Sequence, residues 1–376
     1  MDCNQVFVSK VKRLIVVFTL LIAFLSIKID TFAQVDSAVV PVDSVVAGSA
    51  EAVSGEHGAA KHGEEKFEPT KVIMEHIADS HMWHLWGHTS LPLPVILYTA
   101  NGLEIFSSGH FHHGEHDYNG KYNNYRLEED HIKVVGADGK IDEEASKSVL
   151  DFSITKNVAA MFVAIFVILV IFISAAASYR KRVGKAPKGL QSFMEPIIVF
   201  VRDDIAKPNI GHKYAKFMPY LLTTFFFILF NNLFGLIPIF PGGANVTGNI
   251  ALTFVMALGT LIIVNINGNK YYWKHIFKPD VPFWLYPIMI PVELIGIISK
   301  PFALMVRLFA NITAGHIIVL SLISLIFIFE TLAIAPVSVA FVLFMDVLEL
   351  LVAFLQAFIF TLLTALFIGM AVEEHH

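Results

Sequence analysis

The sequence predicts an all-α polytopic membrane protein with five transmembrane helices, ending in a long tilted helical hairpin. It also predicts a cytoplasmic amphipathic helix and an exported N-terminal segment that is mostly β and partly disordered. Three observations lead to this fold class: the composition, a series of long uncharged runs, and ionisable residues inside the last runs. Of 376 residues, 55% are hydrophobic and only 16% are charged, whereas soluble domains carry about 25% charged residues.

Charge and cysteine content exclude several other classes of protein. The net charge is −5, so there is no basic excess that would indicate nucleic acid as a partner. Cys3 is the single cysteine, which excludes a disulfide framework and a multi-cysteine metal site. Membrane lipid is therefore the expected environment.

Residues 1–33 have the parts of a secretory signal peptide. Lys10, Lys12 and Arg13 precede an apolar run at residues 14–27, and Ala33 provides a small residue for cleavage. The run has 14 residues and is too short to cross a hydrocarbon core of about 30 Å comfortably. An uncleaved anchor is the alternative. Cleavage after Ala33 places the following residues outside the cytoplasmic membrane.

Residues 34–155 are predicted to form an exported, histidine-rich polar domain. Residues 35–63 are of low complexity and expected to stay unfolded. A short helix is predicted around residues 70–81, strands at 93–98 and 131–135, and hairpin turns at Asn101-Gly102 and Asp138-Gly139. The histidine cluster contains weak candidate metal ligands, because imidazole suits zinc, copper or nickel: His110, His112, His113 and His116. A solvated, pH-sensitive surface is the favoured alternative.

Residues 156–376 are predicted to form the membrane domain. Its five expected spans are residues 158–178, 217–240, 248–268, 284–330 and 334–372. Basic residues follow the first span at positions 180–182 and mark that loop as cytoplasmic, which agrees with an exported N-terminus and gives a cytoplasmic C-terminus. Residues 191–206 read as an amphipathic helix at the cytoplasmic surface. The fourth span has 47 residues, about 70 Å of helix, so it must be steeply tilted or broken, with Pro291 and Pro301 as possible kinks.

The last hairpin carries ionisable residues where hydrocarbon is expected: Glu293, Lys300, Arg307, His316, Asp346 and Glu349. Such residues are expensive at bilayer depth and mark an ion or substrate pathway by default. Snorkelling is the alternative for Lys300 but fits Arg307 poorly, because Arg307 lies in the middle of the helix.

The spacing of these residues predicts how they face one another. Glu293, Lys300 and Arg307 are seven residues apart and share one helix side, which Asn311 extends. In an antiparallel hairpin the numbers of facing residues add to a constant, and a turn near residues 332–333 gives a value near 665. His316 then lies opposite Glu349, and Arg307 lies level with Gln356.

These residue types suit the movement of ions. A His–Glu pair can bind and release protons, whereas an arginine does not lose its proton at usable pH. Titratable groups on either side of a fixed cation therefore form two half-paths with a gate between them.

Four segments resemble the subunit a family of the F-type ATP synthase. Residues 299–316, Ser-Lys-Pro-Phe-Ala-Leu-Met-Val-Arg-Leu-Phe-Ala-Asn-Ile-Thr-Ala-Gly-His, are similar to the family signature, and residues 355–360 to its terminal helix. Residues 231–238 and 247–249 are similar to its earlier hairpin. The resemblance covers residues 155–376, so the exported segment is an extension over shorter members.

The resemblance implies a role for each matching position. Arg307 would be the stator arginine that faces the ring of c subunits. The outward half-channel would be lined by Asn311, His316, Glu349 and Gln356, and the inward one by Glu293 with Ser299 and Lys300, while Asp346 is polar at channel depth. Some relatives carry Glu and His in the reversed order at positions 316 and 349, but the pair is kept here.

The resemblance also implies the setting of the chain. It would be a multi-pass subunit of the bacterial inner membrane that passes protons or sodium ions, with residues 191–206 braced against subunit b of the peripheral stalk. It would need no cofactor and would have no catalytic site of its own. The sequence has no phosphate-binding Gly-Lys-Ser/Thr loop, so nucleotide would be handled by partners.

Two alternatives come from other classes of protein. An intramembrane metalloprotease would need His-Glu-x-x-His on a helix, and the sequence has no such run. An exported His-rich metal-binding receptor or uptake module with a membrane anchor would leave Arg307 without a purpose.

Overall fold

The structure is a computed structural model that describes residues 77–373 together with residues 70 and 73. Short gaps interrupt this range at residues 87–88, 115, 129, 137, 182–185, 238–242, 280, 330 and 332–333. The predicted signal peptide and low-complexity stretch lie outside the described residues. Within them, a small β region is followed by a mostly helical region.

The β region contains eight strands in three antiparallel sheets. They are β1 (Met82–Trp86), β2 (Thr89–Pro92), β3 (Pro94–Thr99), β4 (Gly102–Ser107), β5 (Tyr118–Asn119), β6 (Asn124–Glu128), β7 (His131–Val135) and β8 (Leu150–Asp151). The sheets have the orders β1-β2, β4-β3-β8 and β5-β6-β7. A six-residue helix α1 (Glu143–Ser148) lies between β7 and β8.

The strand and turn predictions agree with this region. β3 and β7 fall on the two predicted strands, and Thr99 pairs with Gly102 across the turn that contains Asn101. The predicted helix at residues 70–81 is shorter than expected, because Ile77 is helical but His81 is in a bend that leads into β1. Alternation along β3 buries Val95 and Leu97 in a core that also contains Phe106, Phe111, Tyr125 and Val134.

The β region and the first long helix, α2 (Lys156–Lys181), are joined through the helix N-terminus. The carboxylate of Asp79 accepts hydrogen bonds from Thr155 Oγ1 at 2.9 Å and from the backbone N–H of Asn157 at 3.0 Å. The carbonyl of Ser80 accepts from the N–H of Lys156. These groups satisfy donors that a helix N-terminus leaves free. Asp79 and Ser80, which directly precede the β region, therefore cap the N-terminus of α2, which follows it.

The amphipathic segment predicted at residues 191–206 is helical throughout. Helix α3 (Leu190–Phe200) continues into a π-helical turn (Val201–Ala206) and then into the short helix α4 (Lys207–Ile210). On the exposed side, Asp203 accepts hydrogen bonds from Arg202 and lies 2.6 Å from Lys207 Nζ.

Two helices that carry no charged residue beyond Lys216 follow. They are α5 (Tyr214–Leu236) and α6 (Ile250–Ile266), and residues 238–242 between them lie outside the described residues. Asn249 begins α6 as its N-cap, since its Oδ1 accepts from the N–H groups of Ala251 and Leu252. A surface helix, α7 (Lys270–Phe277), follows.

The last two helices are as long as the sequence predicts. Helices α8 (Tyr286–Phe329, 44 residues) and α9 (Ala335–Val372, 38 residues) are about 66 Å and 57 Å long. Pro291 and Pro301 lie inside α8, which is helical from Tyr286 to Phe329 without a break.

The C-terminal end of α9 is fixed by its neighbours. The carbonyl of Val372 accepts hydrogen bonds from Asn269 Nδ2 at 2.7 Å and Lys213 Nζ at 3.4 Å. These donors satisfy carbonyls that a helix C-terminus leaves free. Gly369 lies against the backbone carbonyl of Asn209, so closely that a Cβ at this position would collide with it.

In the part of the chain that the structure describes, four helical stretches are long and apolar enough to cross a membrane: residues 156–181, 190–236, 283–329 and 335–372. A fifth is present if the bent pair α6 and α7 is counted as one span. The prediction of a mostly helical polytopic protein is therefore confirmed, with four to five candidate spans. Their shared core is rich in phenylalanine, and Phe225, Phe226 and Phe360 are at most 1% exposed.

Candidate functional site

Arg307 lies on the outer side of α8, in the middle of the long hairpin. Its neighbours Leu304 and Leu308 are at most 1% exposed and hold the helix against the core, whereas Arg307 itself is exposed. Among the described residues, none of the five ion pairs involves Arg307. A guanidinium stays charged at any usable pH, so the hairpin presents a fixed positive charge sideways.

Small residues surround this charge on the same side of α8. Ala303, Ala310 and Ala314 are also exposed, and they lie four residues before, three after and seven after Arg307. These intervals put them on one helix side. Small side chains let another helix approach closely, so the side of α8 that carries Arg307 suits a helical neighbour.

One cavity lies beyond Arg307, where α8 and α9 meet α5. It has a volume of about 20 Å³, which is room for about one water molecule. Its lining residues are Asn232, Leu236, Asn311, Ile312, Gly315, His316, Glu349, Val352 and Ala353. His316 and Glu349 thus share a cavity, which is the proximity that the residue numbering predicts.

The Glu349 carboxylate is held close to the α8 backbone. A Cβ added to Gly315 would stand 2.7 Å from Glu349 Oε1, so only glycine leaves room for this carboxylate. The same oxygen is buried and accepts no hydrogen bond from any residue in the described part of the chain. A buried carboxylate oxygen requires a polar partner, and its place beside the cavity makes it a candidate for receiving a proton.

The predicted alignment of Arg307 with Gln356 differs from the contact that the structure contains. Gln356 is 2% exposed and its Oε1 accepts a hydrogen bond of 3.0 Å from Asn311 Nδ2, one helical turn further along α8 than Arg307. The numbers of the contacting residues add to 667 here but to 660 where Ser338 Oγ donates to the carbonyl of Leu322. The two values lie on either side of the expected 665, because side chains reach along a helix as well as across to its neighbour.

A second cavity lies on the other side of Arg307. It also measures about 20 Å³ and is lined by Thr260, Leu261, Val264, Tyr272, Ile297, Lys300, Pro301, Phe367 and Met370. The ammonium group of Lys300 lies 5.7 Å from the centre of the Phe367 ring, a cation–π distance. From Pro301 in this cavity to Asn311 in the other, α8 rises about 15 Å, and Arg307 lies between them.

The remaining predicted residues are less closely tied to a cavity. Glu293 is partly exposed and acts electrostatically on Tyr272, a lining residue of the second cavity. Ser299 donates to the carbonyl of Gly296 on its own helix. Asp346 is exposed one turn before Glu349 on α9.

Sequence reasoning missed a buried polar link behind the first cavity. Asn232 accepts a 2.6 Å hydrogen bond from Thr247 Oγ1, and its Nδ2 donates to the carbonyl of Ala353. Thr260 and Tyr272 of the second cavity were also missed. An asparagine in an otherwise apolar run indicates a polar contact, because polar side chains in a membrane need partners. The sequence does not show which partners or which cavity that asparagine meets.

The weak metal candidates are only partly described. His110 stacks on Tyr118 with ring centres 5.0 Å apart, while the side chains of His112 and His113 lie outside the described set. Where side chains are described, no group of three or more His, Cys, Asp or Glu residues could hold a metal ion.

Comparison with known proteins identifies relatives over nearly the whole chain. The model of the ATP synthase A chain family matches residues 158–369, and that of a domain of unknown function, DUF8433, matches residues 72–152. ATP synthase subunit a of Chlorobium phaeobacteroides is 40% identical over 98% of this chain and 95% of its own length. The Chloroherpeton thalassium protein of the same name is 50% identical over 60% of this chain and 69% of its own, and that of Anaeromyxobacter dehalogenans is 38% identical over 92% and 88%. These matches do not support the alternative of a metal-binding receptor or uptake module.

Proposed function

We propose, on the premise that this chain belongs to the ATP synthase A chain family, that Arg307 and the two cavities beside it carry its role as a stator subunit in proton translocation. Family membership makes the chain a multi-pass membrane component of a rotary complex that is not itself catalytic. The observation that carries the proposal is the position of Arg307, exposed on α8 between two cavities that each contain polar side chains and do not share a lining residue.

The first cavity is the proposed half-channel that opens to the exported side. His316 and Glu349 exchange protons there, while Asn311 and Gln356 fix the polar end of the path through their hydrogen bond. A histidine and a carboxylate in one cavity titrate as a coupled pair, so a proton entering the cavity has two acceptors within reach.

The second cavity is the proposed half-channel that opens to the cytoplasm. Glu293 supplies a carboxylate near its mouth, and Lys300 and Ser299 provide polar groups along α8. Tyr272 and Thr260 extend the set, because both line the same cavity. Asp346 is assigned to the outer path as an auxiliary carboxylate, since it lies one turn from Glu349.

Arg307 is the proposed gate between the half-channels. A carboxylate on the neighbouring rotor helix is attracted to the guanidinium as it passes, but the guanidinium does not accept or release the proton itself. A proton therefore crosses by riding on the rotor rather than by moving directly from one cavity to the other. Each charge that crosses 100 mV contributes about 2.3 kcal/mol.

The proposed partners follow from the exposed surfaces. The ring of c subunits contacts the side of α8 formed by Ala303, Arg307, Ala310 and Ala314. Subunit b of the peripheral stalk contacts the amphipathic helix α3.

The proposed topology follows from charge. The basic end of α2 at Arg180 and Lys181 is cytoplasmic by the positive-inside rule, as is the C-terminus, in the bacterial inner membrane. The β region belongs to an exported domain at residues 34–155 that follows a cleaved signal.

Replacing the proposed gate tests the assignment. In Arg307→Ala, we expect ATP synthesis driven by an imposed proton gradient to fall to background in membrane vesicles, because the passing carboxylate loses its fixed counter-charge. Arg180→Ala is the matched control, since it removes an arginine at the end of α2, away from both cavities. Copurification of the complex verifies assembly. Synthesis at the wild-type rate in an assembled Arg307→Ala complex would refute the proposal.

A further inference from the structure

Helix α7 leaves the axis of α6 at a sharp angle. The two helices are bent by 102° across a break at residues 267–269. If α6 crosses the bilayer, α7 must run along the membrane surface, because a direction nearly perpendicular to a crossing helix lies close to the membrane plane. The helix therefore lies at the depth of lipid headgroups.

One side of α7 is fixed to the protein. Ile276 is 2% exposed, and Tyr272 donates a hydrogen bond of 3.2 Å to Asn265 Oδ1. The two residues are four apart and share one side of the helix. Immediately before α7, the N–H of Asn269 donates to the carbonyl of Ala371 at the end of α9. The orientation of α7 is thus set by its contacts.

The opposite side carries a row of lysines. Lys270, Lys274 and Lys278 recur at intervals of four and are exposed. None of them forms an ion pair with a residue that the structure describes. With 100° per residue, the centre of this row lies about 180° from the side that holds Tyr272 and Ile276. Three positive charges are thus aligned away from the protein.

Aromatic rings lie on both sides of the lysine row and continue into the next loop. Tyr271 is 53% exposed and Phe277 55%, and the loop residues Phe283 and Trp284 reach 84% and 75%. Trp273 stacks on Phe277 with ring centres 6.0 Å apart. Rings exposed to this extent are disfavoured in water but are typical of the interface between headgroups and acyl chains.

We propose that this basic-aromatic surface, formed by α7 with Lys278, Phe283 and Trp284, binds anionic phospholipid. The lysines contact the headgroup phosphates, and the rings enter the boundary of the acyl chains. Charge and aromatic placement together select this partner, because amphipathic helices with a cationic side and large apolar rings bind anionic bilayers. An acidic protein would match the lysines alone and leave the rings in water.

The tryptophans of the chain make the proposal directly measurable. The sequence has four, and two of them, Trp273 and Trp284, lie on the proposed surface. In the full chain carrying Trp83→Phe and Trp86→Phe, all tryptophan emission comes from Trp273 and Trp284. In phosphatidylcholine vesicles, we expect brominated phosphatidylglycerol to quench this emission more strongly than brominated phosphatidylcholine at the same mole fraction.

The lysine row is tested by removing its charge. In Lys270→Gln, Lys274→Gln, Lys278→Gln, we expect the apparent affinity for phosphatidylglycerol to fall by on the order of 100-fold, from the usual contribution of a lysine at an anionic membrane. The matched control is Lys121→Gln, Lys140→Gln, Lys147→Gln, which removes three exposed charges from the β region and should keep the preference. Added salt should weaken the preference of the parent protein.

Each other outcome overturns the proposal. Equal quenching by the two brominated lipids would mean that the surface meets lipid without selecting anions. A preference that survives the triple α7 variant would assign it to other groups. Absence of quenching by either lipid would mean that the surface does not reach the bilayer, and an acidic protein would then replace lipid as the partner that matches the lysines.

Discussion

Adding one methyl group to Gly315 should displace the carboxylate that lines the first cavity. The ideal Cβ would lie 2.7 Å from Glu349 Oε1, 3.1 Å from its Cδ and 3.3 Å from its Cγ, whereas ordinary contacts begin at 3.4 Å. The carboxylate oxygen must therefore retreat by about 0.7 Å. Glu349 is the end of a flexible side chain, so in Gly315→Ala we expect the side chain to move and the fold to persist.

The expected effect falls on rate rather than on stability. Proton transfer requires donor and acceptor heavy atoms within about 2.6–3.2 Å of each other, and a misplacement of about 1 Å can cost 100-fold in rate. A displacement of 0.7 Å should therefore slow gradient-driven ATP synthesis by roughly 10- to 100-fold. A glycine-to-alanine change in a helix interior is itself favourable by about 0.5–1 kcal/mol, so the complex should still assemble.

A second glycine of the same helix provides the control. An ideal Cβ at Gly296 meets nothing within 4 Å, so Gly296→Ala has the same gain in helix propensity without the contact. ATP synthesis and ATP-driven proton pumping would be measured in vesicles for both variants. If Gly315→Ala retained the same activity as Gly296→Ala, the position of Glu349 would not matter to transport, and the reasoning would be wrong.

A shorter acid should partly relieve the clash. Aspartate is shorter than glutamate by one carbon–carbon bond, about 1.5 Å, so Glu349→Asp withdraws the carboxylate from the new methyl group. We expect the double variant Gly315→Ala, Glu349→Asp to lose less activity than the two single losses multiplied together, because contacting residues are not additive. Multiplicative losses would contradict the contact.

Two further predictions concern the same pair and the β region. Exchanging the pair, as His316→Glu with Glu349→His, should retain more ATP synthesis than either single change, since one base and one acid remain in the cavity; a double variant no better than the singles would exclude a functional pair. Asp151 is partly exposed, and its partial burial acts to raise its pKa. The His81 ring, whose Nε2 lies 3.4 Å from Asp151 Oδ2, and the N–H of Ser153, which donates to Oδ1, outweigh burial and hold the pKa below its usual range. A carboxyl whose pKa is lowered by folding stabilises the fold at pH values above its pKa in the unfolded chain, and this stabilisation is lost as the pH falls through its pKa in the folded chain. Thermal unfolding of the full chain, followed by tryptophan fluorescence, should therefore show a loss of stability below about pH 4. The loss should be smaller in Asp151→Asn. An unchanged acid profile in Asp151→Asn would contradict this role.

Much of the fold follows from local features of the chain. Uncharged runs predict the helices within a few residues, as for α2, because hydrocarbon excludes charge and requires backbone hydrogen bonds to be satisfied within the segment. Strands β3 and β7 were equally accessible from alternation and turn residues. Arg307 was identified for the same local reason, since a guanidinium in the middle of an apolar helix is too costly to lack a purpose.

Tertiary structure decided which side chains meet. The residue numbering predicted the proximity of His316 and Glu349 and set Gln356 level with Arg307. It did not predict the hydrogen bond between Asn311 and Gln356, because numbering gives the level of a backbone position and not the reach of its side chain. Asn232 reaches the first cavity from α5, and Tyr272 reaches the second from α7. The periodicity of the hairpin α8–α9 cannot locate either of these helices. Composition and spacing act along the chain and determine which segments enter the membrane, whereas a cavity is a space left between packed helices and exists only once their crossing is fixed.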